Sequence, residues 1–371
     1  MNLRRIVLSL LVLAIATGVA AALALRSPAV LAYFVKRQAM ARFSEPIDPT
    51  LFDGKALRVI LCGTSSPLPD ARRAKSCAVV IAGDNAFVVD TGPESWKTLA
   101  LMGFPGDRIA AILLTHFHSD HIGDLGEFRL QSWGAGRKKP LAVYGGPGVD
   151  RVVAGFNQAY RLDDGYRAAH HGPDIVPIEA APLIAMPFQI GMADTRDEAA
   201  VIYDRDGLTI TAFDVNHAPV KPAVGYRFDY HGRSVVFSGD TRKSPNLVVR
   251  SKGADVLVHE AQSQRMRAIL AEAAAAAGKK SVAKILEDIE NYHSSPADGA
   301  SAANEAGVKL LVFTHFAPPL ASWLLHPLFF EGVDELRPGS GWVAGSDGLR
   351  IDLPIGSQTI IHSQMPSGIF R

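Results

Sequence analysis

The sequence predicts a mixed α/β domain carried behind one N-terminal transmembrane helix, on three observations. From residue 57 onward, short runs rich in β-branched residues alternate with helix-like stretches. Directly after the apolar run 110–114, four side chains of metal-ligand type stand within six residues: His116, His118, Asp120 and His121. Residues 6–25 carry no charge, and as a helix they would be about 30 Å long, the thickness of a bilayer core.

With 371 residues, 48% apolar and 20% charged, the chain has ample material for a large core. A net charge of +1 argues against a nucleic-acid groove as the dominant feature, which would bring a basic excess; a local patch stays open. Cys62 and Cys77 make neither a disulfide framework nor a zinc ribbon. Each lies in an apolar run and reads as a small core residue, so neither reports the redox compartment.

At the N-terminus, Arg4-Arg5 precede the apolar run and Arg26 closes it. A cleaved secretory signal ending at Ala22-Leu23-Ala24 competes with an uncleaved anchor. The run exceeds a usual signal core, so residues 1–27 are read as the anchor. A positive-inside count sets Arg26, Lys36, Arg37 and Arg42 against Arg4 and Arg5, and would keep the domain in the cytoplasm. The signal-like pattern points to export. The expectation is a bacterial inner-membrane protein with its folded domain in the periplasm. Residues 28–54 are a juxtamembrane linker, in which 28–43 form an amphipathic helix or a solvated tether with a basic tip suited to anionic headgroups. The folded domain is expected over 55–371.

Strands are predicted at 57–62, 77–82 and 86–90, then a helix at 94–102 and the strand 110–114. Strand alternation puts His116 and His118 on one side, with Asp120 and His121 at the turn that follows. Imidazole plus carboxylate is the ligand set zinc prefers, so the cluster reads as a metal site. Beyond it come a helix at 123–133, a strand at 141–144 and a helix at 149–160. The irregular tract 161–206 reads as a lid or binding loop, in which His170 and His171 either touch substrate or lie on the surface.

The motif His116-x-His118-x-Asp120-His121 resembles the signature of the metallo-β-lactamase superfamily, closest to its ribonuclease Z and arylsulfatase-like branch. The resemblance implies an αβ/βα four-layer sandwich, two mixed sheets with helices outside and the site along one edge. It also implies further ligands. His217 stands in Val215-Asn216-His217-Ala218-Pro219 and is followed by Gly225-Tyr226-Arg227-Phe228; Asp240 stands in Ser238-Gly239-Asp240-Thr241 and His315 in Phe313-Thr314-His315-Phe316. In that arrangement His116, His118 and His217 hold one Zn2+, Asp120, His121 and His315 the other, and Asp240 bridges them; Mn2+ or Fe2+ are the alternative ions. Asp90, in Asp90-Thr91-Gly92, supports the site from outside.

His259-Glu260-Ala261 and His293-Ser294-Ser295-Pro296 resemble the branch's His-Glu-Ala and His-Ser-Thr motifs. The resemblance makes His293 a general acid oriented by Glu260, with Asp120 accepting the proton of the attacking water. The competing reading of His293 is a packing residue at a helix start, since Ser295, Pro296 and Asp298 are proper start signals.

The function expected is a dinuclear zinc hydrolase of an ester-type bond in a small molecule (phosphodiester, sulfate ester or lactone), attacked by a metal-bridging hydroxide. The alternative is a ribonuclease Z-like endonuclease acting on RNA; a non-catalytic binding protein is the third class. The chain lacks a Gly-Pro-rich basic arm, so nucleic acid is the less expected partner beside a small ester, the membrane and a second copy of the chain. The apolar tail 318–330 reads as a cap on the core, a wall of the substrate pocket or a patch that dips into the membrane.

Overall fold

The computed structural model describes residues 3–44, 48–190 and 199–366. It divides into two compact units, Met1–Pro49 and Thr50–Arg371. The first unit is two helices, α1 (Leu3–Ala24) and α2 (Pro28–Ser44). α1 buries no residue and is long and apolar enough to cross a membrane, a property it shares with signal sequences. α2 is helical, but its apolar residues spread round the helix instead of forming one face.

The second unit holds two sheets. The chain lays down β1 (Ala56–Gly63), β2 (Cys77–Ala82), β3 (Asn85–Val89), β4 (Ile109–Leu113), β5 (Leu141–Gly145) and β6 (Leu183–Pro187) in the first. It then builds the second from β7 (Ala199–Arg205), β8 (Leu208–Asp214), β9 (Val224–Tyr230), β10 (Arg233–Phe237), β11 (Val256–Gln262), β12 (Leu310–Ala317) and β13 (Trp342–Ala344). β14 (Leu349–Pro354) and β15 (Ile361–Gln364) return to the first sheet, whose order is β15-β14-β1-β2-β3-β4-β5-β6; the second runs β13-β12-β11-β10-β9-β8-β7. In both, antiparallel hairpins give way to parallel strands, from β3 to β6 and from β10 to β13.

Alternation along each strand generates the layers. In β1, Leu57, Val59 and Leu61 join Ile210, Phe228 and Val258 in a core between the sheets. Ile60 faces the other way, against Leu99 of α3 (Ser95–Leu101) and Phe128 of α5 (Leu125–Gly134), which α4 (Ser119–Ile122) precedes. A third core packs the outer face of the second sheet, including Val236, Leu257 and Phe313, against Ala300 and Ala303. Two sheets with three apolar layers make the four-layer αβ/βα sandwich.

The structure differs from the sequence reading at three places. Residues 149–171 form a single helix, α6 (Val149–His171), so His170 and His171 are exposed residues of its last turn. Much of the irregular tract is thus helix and strand; residues 191–198 of that segment lie outside the described residues. Asp164 explains the longer helix, because its carboxylate accepts both terminal nitrogens of the buried Arg129. Cys62 and Cys77 form a disulfide, Cα atoms 5.0 Å apart. Pairing shifts register between Leu61 and Gly63, so that Gly63 is the partner of Cys77 and Cys62, left unpaired in the ladder, lies next to it. The tail divides: Leu320, Phe329 and Phe330 are buried in the third core, whereas Trp323 and Leu324 are 76% and 67% exposed.

Candidate metal centre

The site lies where strands of both sheets end, the usual place for chemistry in layered α/β folds. Asp90 directly follows β3, and its positive φ of 58° turns its carboxylate toward the end of β4. There it accepts the Thr115 amide and hydroxyl, each at 2.8 Å, and faces Nδ1 of His121 at 2.8 Å. Asp90 thus stands behind the ligand cluster, against Thr115 and His121. His118 caps α4 in extended conformation, and Asp120 and His121 lie on that one-turn helix. His116 Nε2 lies 2.9 Å from His118 Nδ1.

The second sheet supplies the rest. His217 follows β8, and its Nδ1 faces the Tyr292 carbonyl at 3.1 Å. Asp240 follows β10 after Gly239, whose φ is 59° and where a Cβ would lie 2.6 Å from the Val224 carbonyl; only glycine suits that turn. His315 sits in a bulge of β12 with φ 50°, beside Glu260 on β11.

The structure brings all seven proposed ligands together. Ligand atoms of His116, His118, His217 and Asp240 lie within 4.8 Å of one another, as do those of Asp120, His121 and His315. Asp240 Oδ2 is 3.9 Å from Nε2 of both His116 and His217, and 3.3 Å from Nε2 of both His121 and His315. One carboxylate oxygen thus faces both groups.

The residues fit a metal. The buried Nε2 atoms of His121 and His217 have no hydrogen-bond partner, although both face Asp240. Orphaned nitrogens of this kind are costly unless a cation takes them. The charges of the cluster act on one another. Burial works against the Asp120 carboxylate, but His121 and His315 hold its pKa at about 2. Burial likewise opposes charge on His121, yet Asp240, Asp120 and Asp90 raise its pKa well above the usual imidazole value. Burial lowers His217 to about 4.

His293 and Glu260 lie beside the ligand cluster, His293 Nδ1 3.9 Å from Asp240 Oδ2. Glu260 Oε1 accepts the Thr241 amide at 2.9 Å and the Ser294 amide at 3.3 Å, and lies 3.0 Å from His293 Nδ1. Burial disfavours charge on His293, but Glu260 and then Asp240 outweigh it and raise its pKa to about 9. After α7 (Pro245–Arg250), α8 (Gln264–Ala276) and α9 (Lys280–Asp288), the helix that follows His293 is α10 (Pro296–Ala306); it starts with Ser295 and Asp298 in a reciprocal capping box, which fixes the residues just before it.

Sequence reasoning missed Tyr292, which lies against His118 and His217, and the tie that seats the loop after β1. In that tie the Asp347 carboxylate accepts Thr64 Oγ1 and the Ala74 amide, both at 2.7 Å, and the Phe316 amide donates to the Thr64 carbonyl at 2.9 Å. No local pattern announces contacts across 283 residues.

With this geometry in place, comparison with known proteins gives the class. Residues 85–316 match the family described as a beta-lactamase superfamily domain. The fold, that match and the His/Asp cluster define the chain: it belongs to the metallo-β-lactamase superfamily, as a metal-dependent hydrolase. Within the superfamily the likeness runs to ribonuclease Z. The chain is 37% identical to the ribonuclease Z of Mycolicibacterium gilvum (strain PYR-GCK) over 267 residues, 71% of this chain and 85% of that protein. In fold it is similar to the short form of human tRNase Z (TM-score 0.56, 20% identity, covering 80% of this chain and 100% of that one). It is equally similar to the metallo-beta-lactamase fold protein YhfI of Bacillus subtilis (TM-score 0.56, 20% identity, covering 80% and 99%). The resemblance therefore narrows to ribonuclease Z, and its arylsulfatase-like side finds no support.

Proposed function

We propose that the protein is an RNA phosphodiesterase of the ribonuclease Z type, held at a membrane by α1. The observation that carries this is the 37% identity extending over 85% of a ribonuclease Z. It favours RNA, the alternative substrate of the sequence reading, over a small ester.

In this reading His116, His118 and His217 hold one divalent ion, Asp120, His121 and His315 a second, and Asp240 lies between them. The imidazole and carboxylate donors suit Zn2+. When bound, such ions lower the pKa of a water and polarise a phosphoryl oxygen. The chain's own residues do the rest. Asp120, a carboxylate down to about pH 2, takes the proton of the attacking water. His293, kept protonated by Glu260, gives a proton to the departing ribose oxygen, a poor leaving group that needs one.

The Cys62–Cys77 pair supports export of the folded unit, because disulfides persist in oxidising compartments. The substrate class is then RNA accessible outside the cytoplasm, with α1 as the inner-membrane anchor.

The test is a cleavage panel on metal-loaded full chain: a tRNA with a 3′ tail, an unstructured RNA, an aryl sulfate and a lactone. Cleavage of RNA with the sulfate and lactone untouched is expected. Hydrolysis of a small ester with both RNAs intact returns the substrate to the small-molecule class.

A further inference from the structure

A histidine that binds a metal through one ring nitrogen carries its proton on the other, and the acceptor of that proton fixes tautomer and ring orientation. Three ligand histidines have such an acceptor in view. His116 Nδ1 faces Thr115 Oγ1 at 3.1 Å, His121 Nδ1 faces Asp90 Oδ2 at 2.8 Å, and His217 Nδ1 faces the Tyr292 carbonyl at 3.1 Å. His118 is turned the other way round. Its Nδ1 points at His116 Nε2, into the cluster, which leaves Nε2 outward, 3.3 Å from the Tyr292 phenol oxygen.

Tyr292 thus meets two ligands of the same three-histidine group by two different atoms. Its ring also lies over His217, centroids 4.0 Å apart and planes at 35°. The backbone here is pinned independently of any ion. The Gln262 side-chain amide donates to the Ile289 carbonyl and that of Gln264 to the Glu290 carbonyl, both at 2.9 Å. The capping box of α10 holds the other side.

We propose that Tyr292 is a positioning residue of the three-histidine ion site: its phenol oxygen accepts the Nε2–H of His118 and so presents Nδ1 to the metal, while its carbonyl does the same service for His217. The inference rests on reading the cluster as a metal centre, and it adds a residue that no ligand motif contains. The substitution Tyr292→Phe isolates the phenol oxygen, because it keeps the ring over His217 and the carbonyl.

The experiment titrates metal-free full chain, wild type and Y292F, with Zn2+ against a chromophoric chelator, and with Co2+ to read the d–d absorption. Loss of such an outer acceptor typically weakens metal affinity by about 10–100-fold. One of the two ions should weaken by that factor in Y292F, with a changed cobalt spectrum, while the other ion keeps its affinity. Equal affinities and identical cobalt spectra in both proteins overturn the proposal. If the wild type takes up no metal, it is the reading of the centre that fails. A second measurement is independent of whether Y292F folds. Ring 15N shifts of His118 in the zinc-loaded wild type should report a protonated Nε2 and a ligated Nδ1; the reverse tautomer overturns the proposal.

Discussion

His293 illustrates how environment sets the charge of a residue. Burial alone would keep its imidazole neutral, but Glu260 at 3.0 Å raises its pKa to about 9, so the acid form is present at neutral pH and is lost as pH rises. Bound cations pull that value down in wild type and variant alike, so the comparison between them is the readout. Glu260→Gln should move the alkaline limb of the kcat/KM profile to lower pH; an unmoved limb would show that Glu260 does not govern the acid. His293→Ala should retain metal and lose about 10²–10⁴ in turnover, with a smaller loss on nitrophenyl phosphodiesters, whose leaving group needs no proton. Equal losses on good and poor leaving groups make His293 a substrate-positioning residue instead. His121 gives a second test. Held protonated by Asp240, Asp120 and Asp90, it must shed that proton to bind an ion. Zinc loading at pH 7 should therefore release protons, measured as binding heats that vary with the ionisation enthalpy of the buffer. Heats that ignore the buffer exclude this.

At the scale of elements, what the sequence made legible is what is local. The cluster from His116 to His121 declares itself because a strand, a cap and a one-turn helix place its ligands within six residues. The start of α10 is equally visible, since Ser295, Pro296 and Asp298 are contiguous. What stayed hidden depends on distant partners. The second half of α6 reads as loop until Arg129 is seen to claim Asp164, and the disulfide depends on a register shift at Cys62 that periodicity cannot report. The tail is a mixed case. Its apolar composition left a core cap, a pocket wall and a membrane patch open; Phe329 is 1% exposed and Trp323 76%. Trp323→Ala should change stability by no more than about 0.5 kcal/mol, as exposed substitutions do. Phe329→Ala should cost about 3–5 kcal/mol through the cavity it leaves against Phe316 and Phe330. Denaturant melts of the two variants decide the matter, and a comparable loss in both would put Trp323 in an interface.

At the scale of the whole molecule, the ligands are divided between the sheets. His116, His118, Asp120 and His121 follow β4 of the first, whereas His217, Asp240 and His315 come from the second. A metal held here would tie the two halves together, and anything that binds only the folded state stabilises it, by about 2.7 kcal/mol at a free concentration 100 times Kd. The ligand motifs of both halves stand in the sequence, while the packing of the halves needed the three cores. None of it draws on the first unit: every proposed ligand and brace, from Asp90 to His315, lies within Thr50–Arg371, which packs as a compact unit of its own. Deleting residues 1–43 should thus give a soluble protein with the metal content, the RNA-cleaving activity and the chelator-induced drop in melting temperature of the full chain. The full chain alone should sediment with membranes. A truncated protein that binds metal and melts as before but no longer cleaves would make α1 and α2 part of the active assembly, through substrate capture or through a second copy of the chain.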